Sequence, residues 1–184
     1  MSAPRRVRLV EMVVSQLTVD PLTNMPIVIL RDGAGRRPVP IWIGLAEAPA
    51  IASHLEHIEM RRPMTHDLMK TIIGACGLTV EGVEIRDVKD HTCFAVIVLA
   101  RARELIEIDA RPSDAIALAL RAGAPIRVAR KVIDKMKKLE FPVAVEGEKS
   151  RRASEHAGDI DVARAAASDL LGLLADEEFG KWKM

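Results

Sequence analysis

Two apolar periodicities alternate along this 184-residue chain, and no other feature restricts its fold as much. Val7 to Val14, Met25 to Leu30 and Val39 to Ile43 are runs rich in Val, Ile and Leu, the composition of buried strands. Arg31-Asp32-Gly33-Ala34-Gly35-Arg36-Arg37 separates the second run from the third, and its glycines supply the positive φ angles of a hairpin turn with a basic tip. After Gly44 the period changes. Ala48, Ile51, Ala52, Leu55 and Ile58 recur at three- and four-residue spacing, the face of a helix that Arg61-Arg62-Pro63 ends. A second helix starts at Thr65 as N-cap, with Asp67 in its first turn, Leu68, Met69, Ile72 and Ile73 on its buried side, and Gly77 as its stop.

The strand pattern then returns in Leu78 to Ile85, Cys93 to Leu99 and Leu105 to Asp109. Pro112-Ser113-Asp114 opens a short helix, Ala115 to Arg121, closed by Gly123. Ile126 to Val128 is short enough for an edge strand, and Ala129 to Leu139 reads as an amphipathic helix that buries Val132, Ile133 and Met136 beneath a Lys-rich face. This order predicts an α+β fold, a mixed β-sheet packed with helices. Arg62-Pro63-Met64-Thr65-His66-Asp67-Leu68 echoes Arg111-Pro112-Ser113-Asp114-Ala115, each placed after strands and at a helix start. A duplicated strand-strand-helix unit explains the echo, and so does the general preference of Pro, Ser, Thr and Asp for helix starts.

A core of this size needs neither disulfide nor metal as a staple, since folding hides on the order of 70% of the extended chain's surface. Residues 1–140 read as one domain, 141–159 as a polar linker without apolar period, and 160–184 as a helical tail too short to hold a core. Cys76 and Cys93 lack the paired spacing of a zinc or redox motif and read as reduced core residues. Glu11 interrupts the apolar run after the basic first residues, so no secretory signal is expected, and no run approaches the ~18 apolar residues of a membrane span. The expected compartment is the cytoplasm. The net charge of +1 divides into +4 over residues 1–140 and −3 over 141–184. So mild a charge does not by itself announce nucleic acid, and three Phe, two Trp and no Tyr argue against a base-stacking platform. A nucleic-acid partner would be gripped by its backbone.

Three segments, Ile41-Trp42-Ile43-Gly44-Leu45-Ala46-Glu47-Ala48, Arg62 to Leu68 as above, and Ile108-Asp109-Ala110-Arg111-Pro112-Ser113-Asp114-Ala115-Ile116-Ala117-Leu118-Ala119, stand in the order and spacing of a known family. From residue 7 to about 140 the chain resembles the bifunctional nuclease domain. The resemblance implies a compact α+β domain that forms dimers or larger homo-oligomers, with nuclease activity on DNA and RNA attributed to members. It supplies no catalytic constellation, so the site must come from the residues.

Phosphodiester hydrolysis needs an activated water, compensation of phosphate charge and help for the leaving oxygen, which a divalent metal held by carboxylates commonly supplies. Magnesium or manganese prefers oxygen ligands, and Glu47, Asp67, Asp109 and Asp114 are the candidate set. His66 is the candidate general acid or base, with an unperturbed pKa of ~6.5, beside Asp67, Asp109 and Asp114 as catalytic carboxylates. Arg62 and Arg111 are candidate phosphate ligands, and Arg36 and Arg37 could track a strand backbone. Ordinary structural roles account for the same residues: Asp67 and Asp114 suit helix dipoles, Asp109 and Arg111 suit cross-strand pairing, and a charged turn stays solvated. His54 and His57, three apart on a helix, fit a surface or interface role better than a metal pair, because no carboxylate motif completes them. Two functions follow: a metal-assisted nuclease of little sequence preference, or a noncatalytic homo-oligomeric module that binds a regulatory ligand or protein.

Overall fold

The computed structural model describes residues 8–20, 23–34, 38–89 and 92–138. These lie within the first of two compact units, Met1–Glu140. Arg36 and Arg37 at the hairpin tip, the 141–159 linker and the 160–184 tail lie outside the described residues.

Among the described residues, strands β1 (Leu9–Val19), β2 (Pro26–Asp32) and β3 (Val39–Trp42) precede helices α1 (Ala48–Leu55) and α2 (Thr65–Ala75). Strands β4 (Thr79–Lys89), β5 (Thr92–Arg101) and β6 (Glu104–Ala110) follow, then α3 (Pro112–Ala122), β7 (Ile126–Ala129) and α4 (Arg130–Lys138). The fold is α+β, as the alternating periods predict. One mixed sheet runs in the order β3-β2-β1-β7-β4-β5-β6. Two antiparallel meanders therefore flank β7, which pairs antiparallel with β1 and parallel with β4, Val83 opposite Ile126 and Ile85 opposite Val128. The expected edge strand is thus the central one. Four residues suffice because β7 is laddered on both sides and its Ile126, Val128 and Ala129 are buried.

α4 packs on β7, β4 and β3, and β3 and β4 stand four positions apart, so the sheet must curl to bring them to one short helix. Bulges at Val14/Gln16 in β1 and at two places in β4 supply extra twist. α3 lies in the middle of the helical layer, against α1, α2, β4 and β5. Its Ala115 to Leu118 and Ala119 are all buried, and side chains such as Ile116 and Leu118 each contribute about 1.5–3 kcal/mol. Gly123 ends α3 in the left-handed conformation, φ 63°, which lets Ala124 N–H reach Ala119 C=O at 3.0 Å.

α2 differs from its sequence reading. Leu68 and Ile72 are 52% and 53% exposed, Met69 and Ile73 are half-buried, and His66 is the buried residue at 7%. Polar contacts set the helix rotation: His66 meets Asp114, Asp67 meets Arg121, and Lys70 Nζ donates to the Arg121 carbonyl at 2.6 Å. These fix the polar face against α3 and leave the apolar stripe outward. The N-cap is Met64 rather than Thr65, its N–H donating to Asp67 Oδ2 at 2.9 Å. Nor does the Arg62 to Leu68 segment follow a strand, because α1 precedes it. The repeating pattern of the architecture is instead a three-stranded meander followed by a helix, β1-β2-β3-α1 and β4-β5-β6-α3. Both cysteines are free, yet Cys76 is exposed beyond the end of α2 and only Cys93 is half-buried. No helix of the described residues is long and apolar enough to cross a membrane.

Candidate active site

The two meander-helix units bring their helix starts together. Glu47 is the N-cap of α1 and Arg111 the N-cap of α3, each just ahead of a proline in the first turn. Arg111 Nη1 donates to Glu47 Oε1, Arg111 Nε donates to Asp114 Oδ2 at 2.7 Å, and Nη2 donates to Asp114 Oδ1 at 3.2 Å. His66, the second residue of α2, completes the group with Nε2 3.3 Å from Asp114 Oδ1. Two carboxylates, one imidazole and one guanidinium from three helix starts thus converge. Partial burial alone would push the Asp114 pKa up, but the hydrogen bonds and charge of Arg111, then those of His66, hold it below the ordinary carboxylate value. Arg111 itself is 65% exposed, and its guanidinium has five N–H donors of which these bonds occupy three. The remaining two have no partner among the described residues, and Glu47 and Asp114 hold them at a fixed orientation.

Gly44 makes room for this arrangement, because a Cβ there would collide with the Glu47 carboxylate. Since the clashing atoms end a flexible side chain, Gly44→Ala should leave the fold intact and swing Glu47 away from Arg111. The Arg111 Nε–H resonance is expected to shift in the variant spectrum while the core amide resonances stay in place. An unmoved Arg111 signal would mean that Gly44 is not what positions Glu47.

Asp67 belongs to a second cluster one residue along α2. Its Oδ1 accepts from Arg121 Nε at 2.7 Å, and Arg121 also donates to the Ala50 carbonyl at 2.7 Å, the Ala117 carbonyl at 3.1 Å and Ser53 Oγ at 3.4 Å. The Arg121 side chain is only 6% exposed and ties α1, α2 and α3 into one unit. Burial works to raise the Asp67 pKa, and the Met64 N–H and Arg121 lower it to a net value below the ordinary one. Beside this clasp a cleft of about 490 Å³ opens, lined by His54, His57, Met60, Arg62, Met64 and Asp67 among others. A second hollow of about 510 Å³ shares His54, Asp67 and Arg121 and adds Lys70. His54 has its pKa lowered by burial and then by the Arg121 charge, which keeps its imidazole neutral at pH 7.

The structure therefore divides the candidates. Glu47, Asp114, His66 and Arg111 meet; Asp67 lies next to them but pairs with Arg121; Arg62 lines the cleft. Asp109 does not join them. It stands opposite Val96, itself opposite Glu84, on the sheet face that carries the Glu84–Arg86–Glu107 ion pairs, while the alternate residues Val83, Ile85, Ala95 and Ile97 are the buried ones. Among the described residues, no three His, Cys, Asp or Glu side chains gather as a metal-holding group. Arg121 escaped the sequence reading. Its spacing was the available signal, since it lies seven residues beyond Asp114, two helical turns along the same face of α3.

A mixed-sheet α+β fold thus gathers acids, an imidazole and an exposed arginine at three helix starts. The chain belongs to the bifunctional nuclease domain family, whose model matches residues 28–141, more than half of its length. An uncharacterized protein of Mycobacterium tuberculosis is 41% identical over 117 residues, covering 64% of this chain and 70% of that protein. "Bifunctional nuclease 1" of Arabidopsis thaliana is 28% identical over 108 residues, 56% of this chain and 33% of the plant protein. "Bifunctional nuclease 1" of Oryza sativa subsp. japonica is 31% identical over 91 residues, 47% and 28% of the two chains. This chain thus matches about a third of the length of these plant relatives.

Proposed function

We propose that the chain is a cytoplasmic nuclease that hydrolyses phosphodiester bonds of DNA, RNA or both with little sequence preference. The observation that carries this reading is the convergence of Glu47 and Asp114, with His66 on Asp114, about an exposed Arg111 that keeps two N–H donors without a partner among the described residues. Arg111 would bind the phosphate and offset charge developing on its oxygens, an effect that a preoriented donor supplies without reorganisation. Asp114 would hold His66 in one tautomer, with its proton on Nε2, and the imidazole would move protons at the reacting centre. Membership of the nuclease domain family supports the reaction class.

The reading includes a divalent metal, Mg or Mn. Magnesium is commonly held by one or two carboxylates, with water and substrate phosphate filling its other positions, and Glu47 and Asp114 fit that requirement because each keeps a carboxylate lone pair that Arg111 and His66, among the described residues, leave open. When bound, the metal would lower the pKa of a coordinated water and neutralise phosphate charge. The test is cleavage of single-stranded and duplex DNA and RNA with and without chelator. Chelation is expected to abolish cleavage and added Mg or Mn to restore it; undiminished cleavage in excess chelator would remove the metal, and no cleavage of any substrate would remove the nuclease reading.

A second reading, a noncatalytic homo-oligomeric module, draws on one observation. Leu68 and Ile72 on α2 and Leu105 and Ile108 on the edge strand β6 are large apolar side chains left exposed. Self-association is compatible with both readings, and cleavage separates them.

A further inference from the structure

The cleft beside the Arg121 clasp carries chemistry that the Arg111 group does not use. Among the described residues, Arg62 has no hydrogen-bond or ion-pair partner, although it lines a cleft of about 490 Å³. Asp67 in the same wall is already neutralised by Arg121 at 2.7 Å, so the positive charge of Arg62 stands uncompensated by it. The opposite character is present too: Ile58, Met60, Pro63 and Met64 give the cleft an apolar wall, and the Glu59 carboxylate adds acceptors that suit sugar hydroxyls. An arginine outside the Asp67–Arg121 pair, two imidazoles, a hydrogen-bond acceptor and an apolar wall make up the recognition set of one nucleotide: phosphate, sugar hydroxyls and the flat face of a base. The volume lies within the range of small-ligand sites, roughly 300–1,000 Å³.

An independent observation comes from the backbone of His57. This residue ends α1 with φ 53°, the left-handed region that glycine adopts without strain and a residue with a Cβ adopts at a cost. Ile58 N–H reaches the Ser53 carbonyl at 2.8 Å across it, so the helix end itself asks for glycine here. A histidine that lines the cleft occupies the position instead. Retaining a side chain where its absence would favour the fold points to a use for the imidazole.

We propose that this cleft binds one nucleotide, its phosphate held by Arg62 and His57 and its base against Met60 and Met64, as a subsite for the residue next to the bond being cut. Its place supports that role. Asp67 and Met64 of the cleft wall flank the stretch of α2 that carries His66, whose Nε2 is 3.3 Å from Asp114. The role as a subsite rests on the nuclease reading, whereas the binding itself does not.

The test titrates adenosine 5′-monophosphate into the full chain, following heat of binding and the imidazole resonances of His54 and His57, with adenosine and inorganic phosphate as separate probes. Saturable binding that shifts both imidazoles is expected, with each half-molecule binding at least about tenfold more weakly than the whole. Arg62→Gln and His57→Gly should each weaken the nucleotide about tenfold, the worth of a charge-assisted hydrogen bond. His57→Gly should melt no lower than the parent chain, which separates a binding role from a structural one. Asp109→Asn, on the opposite sheet face, should bind the nucleotide as the parent does. No saturable binding, unmoved His54 and His57 signals, or full affinity in both cleft variants would overturn the site. Nucleotide binding without cleavage of any nucleic acid would leave the site standing and remove the nuclease reading; cleavage without nucleotide binding would do the reverse.

Discussion

Asp114→Asn is expected to reduce cleavage by about a hundredfold or more, at about 1.4 kcal/mol of transition-state stabilisation for each tenfold. The amide preserves the shape of the carboxylate, so it can still accept one bond from Arg111, but it removes the charge that orients that guanidinium and fixes the His66 proton. Stability should change little, by roughly 1 kcal/mol, because the lost interactions are a helix-start charge and a partly exposed ion pair. Asp109→Asn is the matched control. Asp109 lies on the opposite sheet face beside Val96, away from the helix starts, and its amide variant should cleave and melt as the parent does. Cleavage rate read beside melting temperature decides the matter: near-normal cleavage by the Asp114 variant would take the Arg111 group out of the reaction.

Arg121→Met should produce a large loss of stability. Its guanidinium is nearly buried and serves Asp67, the Ala50 and Ala117 carbonyls and Ser53 Oγ, so methionine fills much of the volume and leaves those groups without their donor. Leaving buried acceptors unpaired costs about 1–3 kcal/mol, and the broken pair with the part-exposed Asp67 adds less than a fully buried one would. A loss of about 2–4 kcal/mol, or roughly 10 °C in melting temperature, is expected by denaturant titration or calorimetry. The pH dependence gives a second check. Because the folded-state pKa of Asp67 is depressed, its contribution is present above the ordinary carboxylate value of 3.8 and is lost as pH falls through the folded value. The stability gap between parent and variant should therefore narrow below about pH 4. A variant as stable as the parent at neutral pH would show that α1, α2 and α3 are held by their apolar contacts alone.

The helix starts illustrate how unevenly sequence and structure share the information. Glu47, His66, Arg111 and Asp114 were legible as chemistry because acids, an imidazole and an arginine beside Pro, Ser or Thr stand out in any helix-opening segment. Their grouping was not legible. It depends on α1 and α3 ending up side by side, which follows from two meanders meeting at β7, and a four-residue strand offers no local sign that it will sit in the middle of a sheet. Asp109 shows the same limit at the scale of one residue: whether a strand carboxylate faces the helices or the other side depends on register, and register is set by pairing with β5.

The sequence by itself determined the α+β class, the extent and order of most elements, and the family, because period, turn residues and three extended motifs are local properties that survive without neighbours. The tertiary structure alone decided that β7 is central, that α2 turns His66 inward and Leu68 and Ile72 outward, and that Asp67 pairs with Arg121 while Asp114 pairs with Arg111. The physical reason is common to all three. Apolar period states only that a face prefers burial, with an energy that is non-directional, whereas the rotation of α2 and the partners of each carboxylate are settled by hydrogen bonds between groups 48 to 64 residues apart, which exist only once the sheet has closed around β7.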